Sequence, residues 1–161
     1  MIIIPCLYSQ NIRESVLSGS LFLSLVFKNV AIKKIKDFYD IYSEVLASDA
    51  IIKVDPGWYQ IVEEMLAACK VYQDVNLVEY DLEPLYFKKI ACKHGWLDVE
   101  YVGGDEVIQH IVSYSLRISF KTCEICGDIG NLYCSDKYMK WSDKRTLCVK
   151  HAISLSFYKM T

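Results

Sequence analysis

Two pairs of candidate metal ligands near the C-terminus constrain this chain more than any other feature of its sequence. Cys123 and Cys126 form a Cys-x-x-Cys pair that is followed by Gly127. Cys148 and His151 form a second pair, three residues apart. The first spacing lets two thiolates hold one ion from a tight turn, and the second places both side chains on one face of a helix's first turn. Together the four residues predict a closed tetrahedral Cys3His site, for which zinc is the usual ion.

The cysteine content favours a metal site over a disulfide framework. The chain has seven cysteines, an odd number, and its N-terminus does not have the pattern of a secretion signal. Cys6, Cys69 and Cys92 are isolated among apolar residues, which is typical of buried, unreactive thiols. Cys134 is the rival for a ligand position, but it belongs to neither pair.

The segment from residue 123 to about residue 158 resembles a treble-clef zinc finger. Leu132-Tyr133 and Arg145-Thr146-Leu147 lie between the two ligand pairs and can form the strands of a short hairpin. The resemblance implies a knuckle with the first pair, then the hairpin, then a helix with the second pair. The N-terminal end of that helix would also favour the negative charge of the thiolates.

A longer stretch, about residues 54–152, resembles a group of small bacterial and phage-encoded proteins. The resemblance rests on Gly57-Trp58-Tyr59 at the start of an amphipathic helix, on a lysine-containing hairpin over residues 88–101, and on the two ligand pairs. It implies a fold and a bacterial or phage setting, but no reaction. The segment Ala91-Cys92-Lys93-His94 departs from the group, in which a charged segment is expected before the glycine of the turn.

The rest of the chain predicts an α+β fold. Periodic apolar residues predict helices over residues 30–47, 56–72 and 105–119, and apolar or alternating runs predict strands over 75–82, 85–92 and 97–101. The second helix has the clearest apolar stripe: Trp58, Ile61, Val62, Met65, Leu66, Cys69 and Tyr72. We expect a small antiparallel sheet packed with helices and closed by the zinc knuckle. Its parts would be an N-terminal helical and apolar segment (1–50), an α+β core (51–120) and a zinc-binding module (121–161).

Three arrangements are compatible with catalysis, and each has a simpler interpretation. The Cys-Glu-Ile-Cys-Gly motif also opens many HNH-type nucleases, but this chain lacks the His-His step that follows it there. Cys92 and His94 lie two apart at a strand end and are candidates for a Cys–His nucleophile. A packed thiol followed by a histidine in a turn would have the same spacing. Glu106 and His110, four apart on a helix, have no third ligand nearby in sequence and fit a solvated face. We therefore expect a protein that is not an enzyme.

Charge is distributed unevenly along the chain, whose net charge is −2. Residues 49–106 hold twelve acidic side chains against five basic ones, whereas residues 121–161 hold seven basic against four acidic. We expect a partner to contact an acidic sheet face and aromatic residues of the basic finger. The candidate residues are Glu79, Asp81, Glu83, Asp98, Glu100, Tyr138 and Trp141.

These features predict a non-enzymatic, zinc-stabilised binding protein that contacts another protein. The resemblance implies a role in host–phage conflict, as an inhibitor of a defence system or as an immunity-type protein. Two alternatives stay open: a nucleic-acid-binding adaptor that uses the basic finger, and an enzyme that uses Cys92 and His94 or a pair of carboxylates. The apolar run over residues 16–27 is too short to span a membrane and has no basic segment before it, so we expect a cytoplasmic protein.

Overall fold

The structure is a computed structural model that describes residues 32–76, 83–136 and 143–160 of the chain. Its elements in chain order are α1 (Ile35–Ile41), β1 (Leu46–Lys53), a 3₁₀ turn (Pro56–Trp58), α2 (Tyr59–Asn76), β2 (Tyr86–Lys93), β3 (Trp96–Val102), α3 (Glu106–Ser119), β4 (Asn131–Cys134), β5 (Lys144–Leu147), α4 (Val149–Ser154) and β6 (Tyr158–Lys159). Helices combined with two three-stranded sheets confirm the α+β class.

The first helix is shorter than predicted, and a strand follows it. The helix predicted over residues 30–47 ends at Ile41, and β1 begins soon after it. Tyr39 holds this strand, because its hydroxyl donates to the Ala50 carbonyl (3.0 Å) and accepts the N–H of Ile52 (2.9 Å). The strand is held by residues that are distant from it in sequence. Local periodicity in the sequence therefore does not predict it.

The core sheet has the strand order β1-β2-β3 and is mixed. β2 and β3 form the predicted antiparallel hairpin, in which Ile90 lies opposite Val99. β1 runs parallel to β2 with Ile52 opposite Ile90, so the prediction of a wholly antiparallel sheet was wrong for this strand. The connection between two parallel strands must cross the length of the sheet, and α2 lies in that connection. The predicted boundary after residue 50 falls within β1.

Helix α2 carries the predicted apolar stripe into the core. All seven residues of that stripe are buried, from Trp58 to Tyr72. The helix continues to Asn76, so the first two residues of the strand predicted over 75–82 are helical instead, and residues 77–82 lie outside the described residues. α3 packs against α2 and β3, and Asp105 caps it as expected by accepting the N–H groups of Val107 and Ile108.

The C-terminal part forms a second small sheet with the order β5-β4-β6. β4 and β5 form the hairpin that the treble-clef resemblance implies, with Leu132 opposite Thr146, and α4 follows β5 directly. A separate apolar cluster of buried residues holds this module together: Cys123, Tyr133, Leu147, Cys148 and Ala152. Among the helices in the described part of the chain, none has both the length and the apolarity needed to cross a bilayer.

Candidate metal centre

The four predicted ligands lie together at one point of the C-terminal module. Their donor atoms are all within 4.8 Å of one another. The thiols of Cys126 and Cys148 are 3.8 Å apart, and Nδ1 of His151 lies 3.2 Å from Cys148 Sγ and 3.4 Å from Cys123 Sγ. Zinc–sulfur and zinc–nitrogen bonds of ordinary length in a tetrahedron would give separations of about 3.8 Å and about 3.6 Å. These three separations are close to the values that a single tetrahedral ion would give.

The first ligand pair is held by a tight turn. The N–H of Gly127 donates to the carbonyl of Cys123 at 2.9 Å, and the N–H of Cys123 donates to the carbonyl of Asp128 at 2.7 Å. Gly127 has φ 79°, a left-handed conformation that glycine adopts without steric cost. This turn returns the chain so that Cys126 lies beside Cys123.

The second ligand pair is placed by the start of α4. Cys148 is the residue that precedes the helix, and its carbonyl accepts the N–H of Ala152 at 2.9 Å. Backbone N–H groups of His151 and then Lys150 face the thiol and lower the pKa of Cys148. The same end of the helix thus stabilises a thiolate and brings His151 to its side.

The cluster is a group of thiols and not of disulfides. Cys123, Cys126 and Cys148 are free, and the first and last of them are buried. Cys134 lies outside the cluster, because its thiol donates to the carbonyls of Asp136 (3.1 Å) and Tyr158 (3.5 Å). The four residues named from the sequence therefore form a compact group that could bind a metal ion.

Glu124, inside the Cys-x-x-Cys turn, is a central residue that the sequence analysis did not single out. Its side chain is 2% exposed. Its carboxylate accepts the Thr146 N–H (2.7 Å), Arg145 Nε–H (3.1 Å) and the Cys92 thiol (3.5 Å). Burial raises the pKa of Glu124, and the Arg145 guanidinium opposes that shift. Arg145 also pairs with Asp55, which precedes the 3₁₀ turn.

Gly57 and Trp58 form a contact between the core and the metal-binding turn. The N–H of Gly57 donates to the carbonyl of Glu124 at 2.7 Å, and Trp58 Nε1–H donates to the carbonyl of Thr122 at 2.7 Å. A Cβ atom on Gly57 would lie 2.2 Å from the carbonyl oxygen of Cys123. Glycine is therefore needed for the two backbones to approach. The sequence indicated only a helix start at Gly57-Trp58. In the structure these residues also contact the Cys-x-x-Cys turn.

Other contacts tie the β2–β3 turn to the same module. Thr146 Oγ1 donates to the carbonyl of Gly95 at 2.6 Å, and this threonine is fully buried. His94 and Gly95 both have positive φ, 55° and 87°. The tight turn of the core hairpin therefore packs directly on β5.

Two carboxylates of the predicted acidic sheet face share one lysine. Lys89 Nζ donates to Asp98 Oδ2 and Glu100 Oε1, both at 2.8 Å. The hydrogen bond from Lys89 lowers the pKa of Asp98. Glu83 is exposed, and its carbonyl accepts the N–H of Gly104 at 3.1 Å. The remaining candidate partner residues, Glu79, Asp81, Tyr138 and Trp141, lie outside the described residues.

Cys92 and His94, the candidate catalytic pair, each contact a different side chain in the structure. The Cys92 thiol donates to Glu124, and His94 lies in the exposed turn with its ring near the edge of Trp96 (6.1 Å between centroids). Burial, and then the nearby Glu124, raises the pKa of Cys92 to about 12. His110 and Glu106 form the exposed helix pair expected from their spacing, at 3.6 Å.

Comparison with known protein families, with curated proteins and with solved structures finds no match to this chain. The fold and the site alone define its class: an α+β protein whose C-terminal Cys3His module can bind a metal ion.

Proposed function

We propose that this chain is a non-enzymatic binding protein, stabilised by zinc at Cys123, Cys126, Cys148 and His151, that contacts another protein through its C-terminal module. Zinc is favoured because three thiolates and one imidazole at tetrahedral spacing match its usual structural sites. A site with four protein ligands leaves no coordination position for a substrate, which favours a structural role for the ion.

The observation that carries the protein-binding role is a set of exposed apolar side chains on the metal-bearing module. Ile129 is 87% exposed, Ile153 is 74% exposed and Val149 is 61% exposed. Val149 and Ile153 are four apart on α4 and therefore share one face of that helix. Single exposed apolar residues are ordinary, whereas two that share one helix face form an apolar patch of the kind that another protein can cover.

The basic finger gives less support to nucleic-acid binding than its sequence indicated. Arg145 is engaged by Glu124 and Asp55, so its charge is neutralised within the fold. A partner that is itself apolar at the contact matches the α4 face better than a phosphate backbone does. A role in a bacterial or phage setting, as an inhibitor of a defence system or an immunity-type protein, belongs to this proposal and rests on the sequence resemblance alone.

The test compares two exposed isoleucines. Affinity purification from the organism that encodes the chain would use the wild type, Ile153→Ser and Ile51→Ser. Ile51 is 58% exposed on β1 of the core sheet, so its variant is a matched control for loss of an exposed apolar side chain. We expect a protein that is enriched by the wild type and by Ile51→Ser. Ile153→Ser should weaken its binding in purified form about tenfold or more.

Each variant must first be shown to hold the same amount of metal as the wild type, by elemental analysis. A partner that binds Ile153→Ser and the wild type equally would refute the α4 face as the contact. Enrichment of no protein by the wild type would refute the binding role itself.

A further inference from the structure

A groove away from the metal cluster lies at the C-terminal end of α3. It has a volume of about 500 Å³ and is lined by Tyr114, Arg117, Ile118, Phe120 and Lys121. The first three are on the last two turns of the helix, and the other two follow it directly. Nothing in the metal site or in the proposed α4 contact uses these residues.

The groove presents two partly exposed aromatic rings. Tyr114 is 47% exposed and Phe120 is 42% exposed. Phe120 also packs against Trp96, with ring centroids 5.2 Å apart and an interplanar angle of 33°, and Trp96 lies beside His94. The ring contact with Trp96 holds Phe120 in place at the groove, so a flat ligand could stack there with little loss of side-chain entropy.

The groove is also positively charged. Arg117 and Lys121 are both exposed, and neither makes an ion pair with any described residue. No acidic residue is among the residues that line the groove. The C-terminal end of α3 contributes only a partial negative charge, which two full positive charges exceed. The site therefore favours an anion beside a stacked ring.

From this combination we propose that the groove binds single-stranded nucleic acid, with bases stacked on Tyr114 and Phe120 and phosphates paired with Arg117 and Lys121. Stacking on exposed aromatics beside cations is the way proteins bind single strands without reading their sequence. A duplex hides its base faces, so the rings would contribute nothing to duplex binding. This site shares no side chain with the metal ligands or with the α4 contact proposed above, although its Lys121 is the first residue of the metal-bearing module.

The test is fluorescence anisotropy of the full, metal-loaded chain with a labelled single strand of about 12 nucleotides. A groove variant, Tyr114→Ala with Arg117→Gln, is compared with a control variant, Tyr158→Ala with Lys159→Gln. Tyr158 is 48% exposed on β6, so the control removes an equally exposed tyrosine and one cation from the zinc module instead. We expect the groove variant to raise Kd for the single strand about tenfold or more and the control variant to leave it nearly unchanged.

Salt dependence gives a second readout. With two phosphate contacts, log K should fall against log salt with a slope of about −1.4, and Arg117→Gln alone should reduce its magnitude by about 0.7. Weaker binding in the control variant but not in the groove variant would overturn the proposal. So would equal affinity for a duplex of the same sequence or for a nucleoside monophosphate, and so would no binding at about 50 mM salt.

Discussion

The Arg145 guanidinium donates to the buried Glu124 carboxylate, with Nε and Oε2 3.1 Å apart. Glu124 directly follows the ligand Cys123, and Arg145 lies three residues before the ligand Cys148. This ion pair therefore connects the same two chain segments that a bound ion would connect. Asp55 pairs with Arg145, and the N–H of Gly57 donates to the carbonyl of Glu124. These two contacts join both segments to the chain that leads into α2. The metal cluster is consequently built into the interface between the module and the core.

We expect purified protein to hold about one zinc ion per chain, measured by elemental analysis. Cys148→Ser should lose the ion and the ordered structure of residues 121–160, because binding of a structural zinc contributes on the order of 10 kcal/mol to folding. Cys134→Ser is the matched control, since Cys134 is in the same module but outside the cluster. A protein that is well folded without metal, by NMR amide dispersion, would contradict this prediction.

Arg145→Met should destabilise the protein by about 3–5 kcal/mol, because it leaves the Glu124 carboxylate buried without its charged partner. The double variant Glu124→Gln with Arg145→Met should be less destabilised than the sum of the two single variants. Urea unfolding of the metal-loaded protein measures both quantities. Lys89→Met is the control, because its pairs with Asp98 and Glu100 are more exposed than the buried Glu124 carboxylate and should contribute less. Equal losses of unfolding free energy for Arg145→Met and Lys89→Met would show that the burial of Glu124 does not determine the destabilisation.

Gly57→Ala should weaken the docking of the metal-binding turn on the core. The added Cβ would meet the Cys123 carbonyl oxygen at 2.2 Å, so one of the two backbones must move. We expect a loss of about 1–3 kcal/mol in urea unfolding, typical of overpacking, and faster amide exchange at Thr122 and Glu124. Ala68→Gly, at a half-buried position within α2, is a control with a different mechanism. It should cost about 1 kcal/mol without changing exchange at the turn.

The raised pKa of Cys92 predicts slow alkylation in the folded protein. The thiolate is the reactive form, and a pKa of about 12 leaves very little of it at pH 8, so the rate should keep rising with pH well above 9. Peptide mapping after iodoacetamide treatment separates Cys92 from the other thiols, and the same residue in urea-unfolded protein is the control. Cys92→Ala should also leave any binding activity intact. Fast labelling of Cys92 at pH 8 in the folded chain would instead favour the enzyme alternative.

The local patterns in the sequence predicted the elements that local interactions form. The α2 stripe, the Asp105 cap and the β2–β3 hairpin each form within one short continuous stretch of chain, and all are present as predicted. β1 was missed because its partner β2 lies beyond α2 in the chain. A parallel pairing of that kind leaves no short-range periodicity to read.

The metal ligands are the part of the site that the sequence by itself determined. Their spacing follows from the geometry of a turn and of a helix start, and both are local. The tertiary structure alone decided the role of Glu124, Arg145 and Gly57, since their contacts join positions 21 to 90 residues apart. It also decided that Lys89 pairs with both Asp98 and Glu100, because these ion pairs arise from the register of two strands. Spacing identifies ligands that share one local element, whereas burial and charge pairing depend on which distant segments fold against each other.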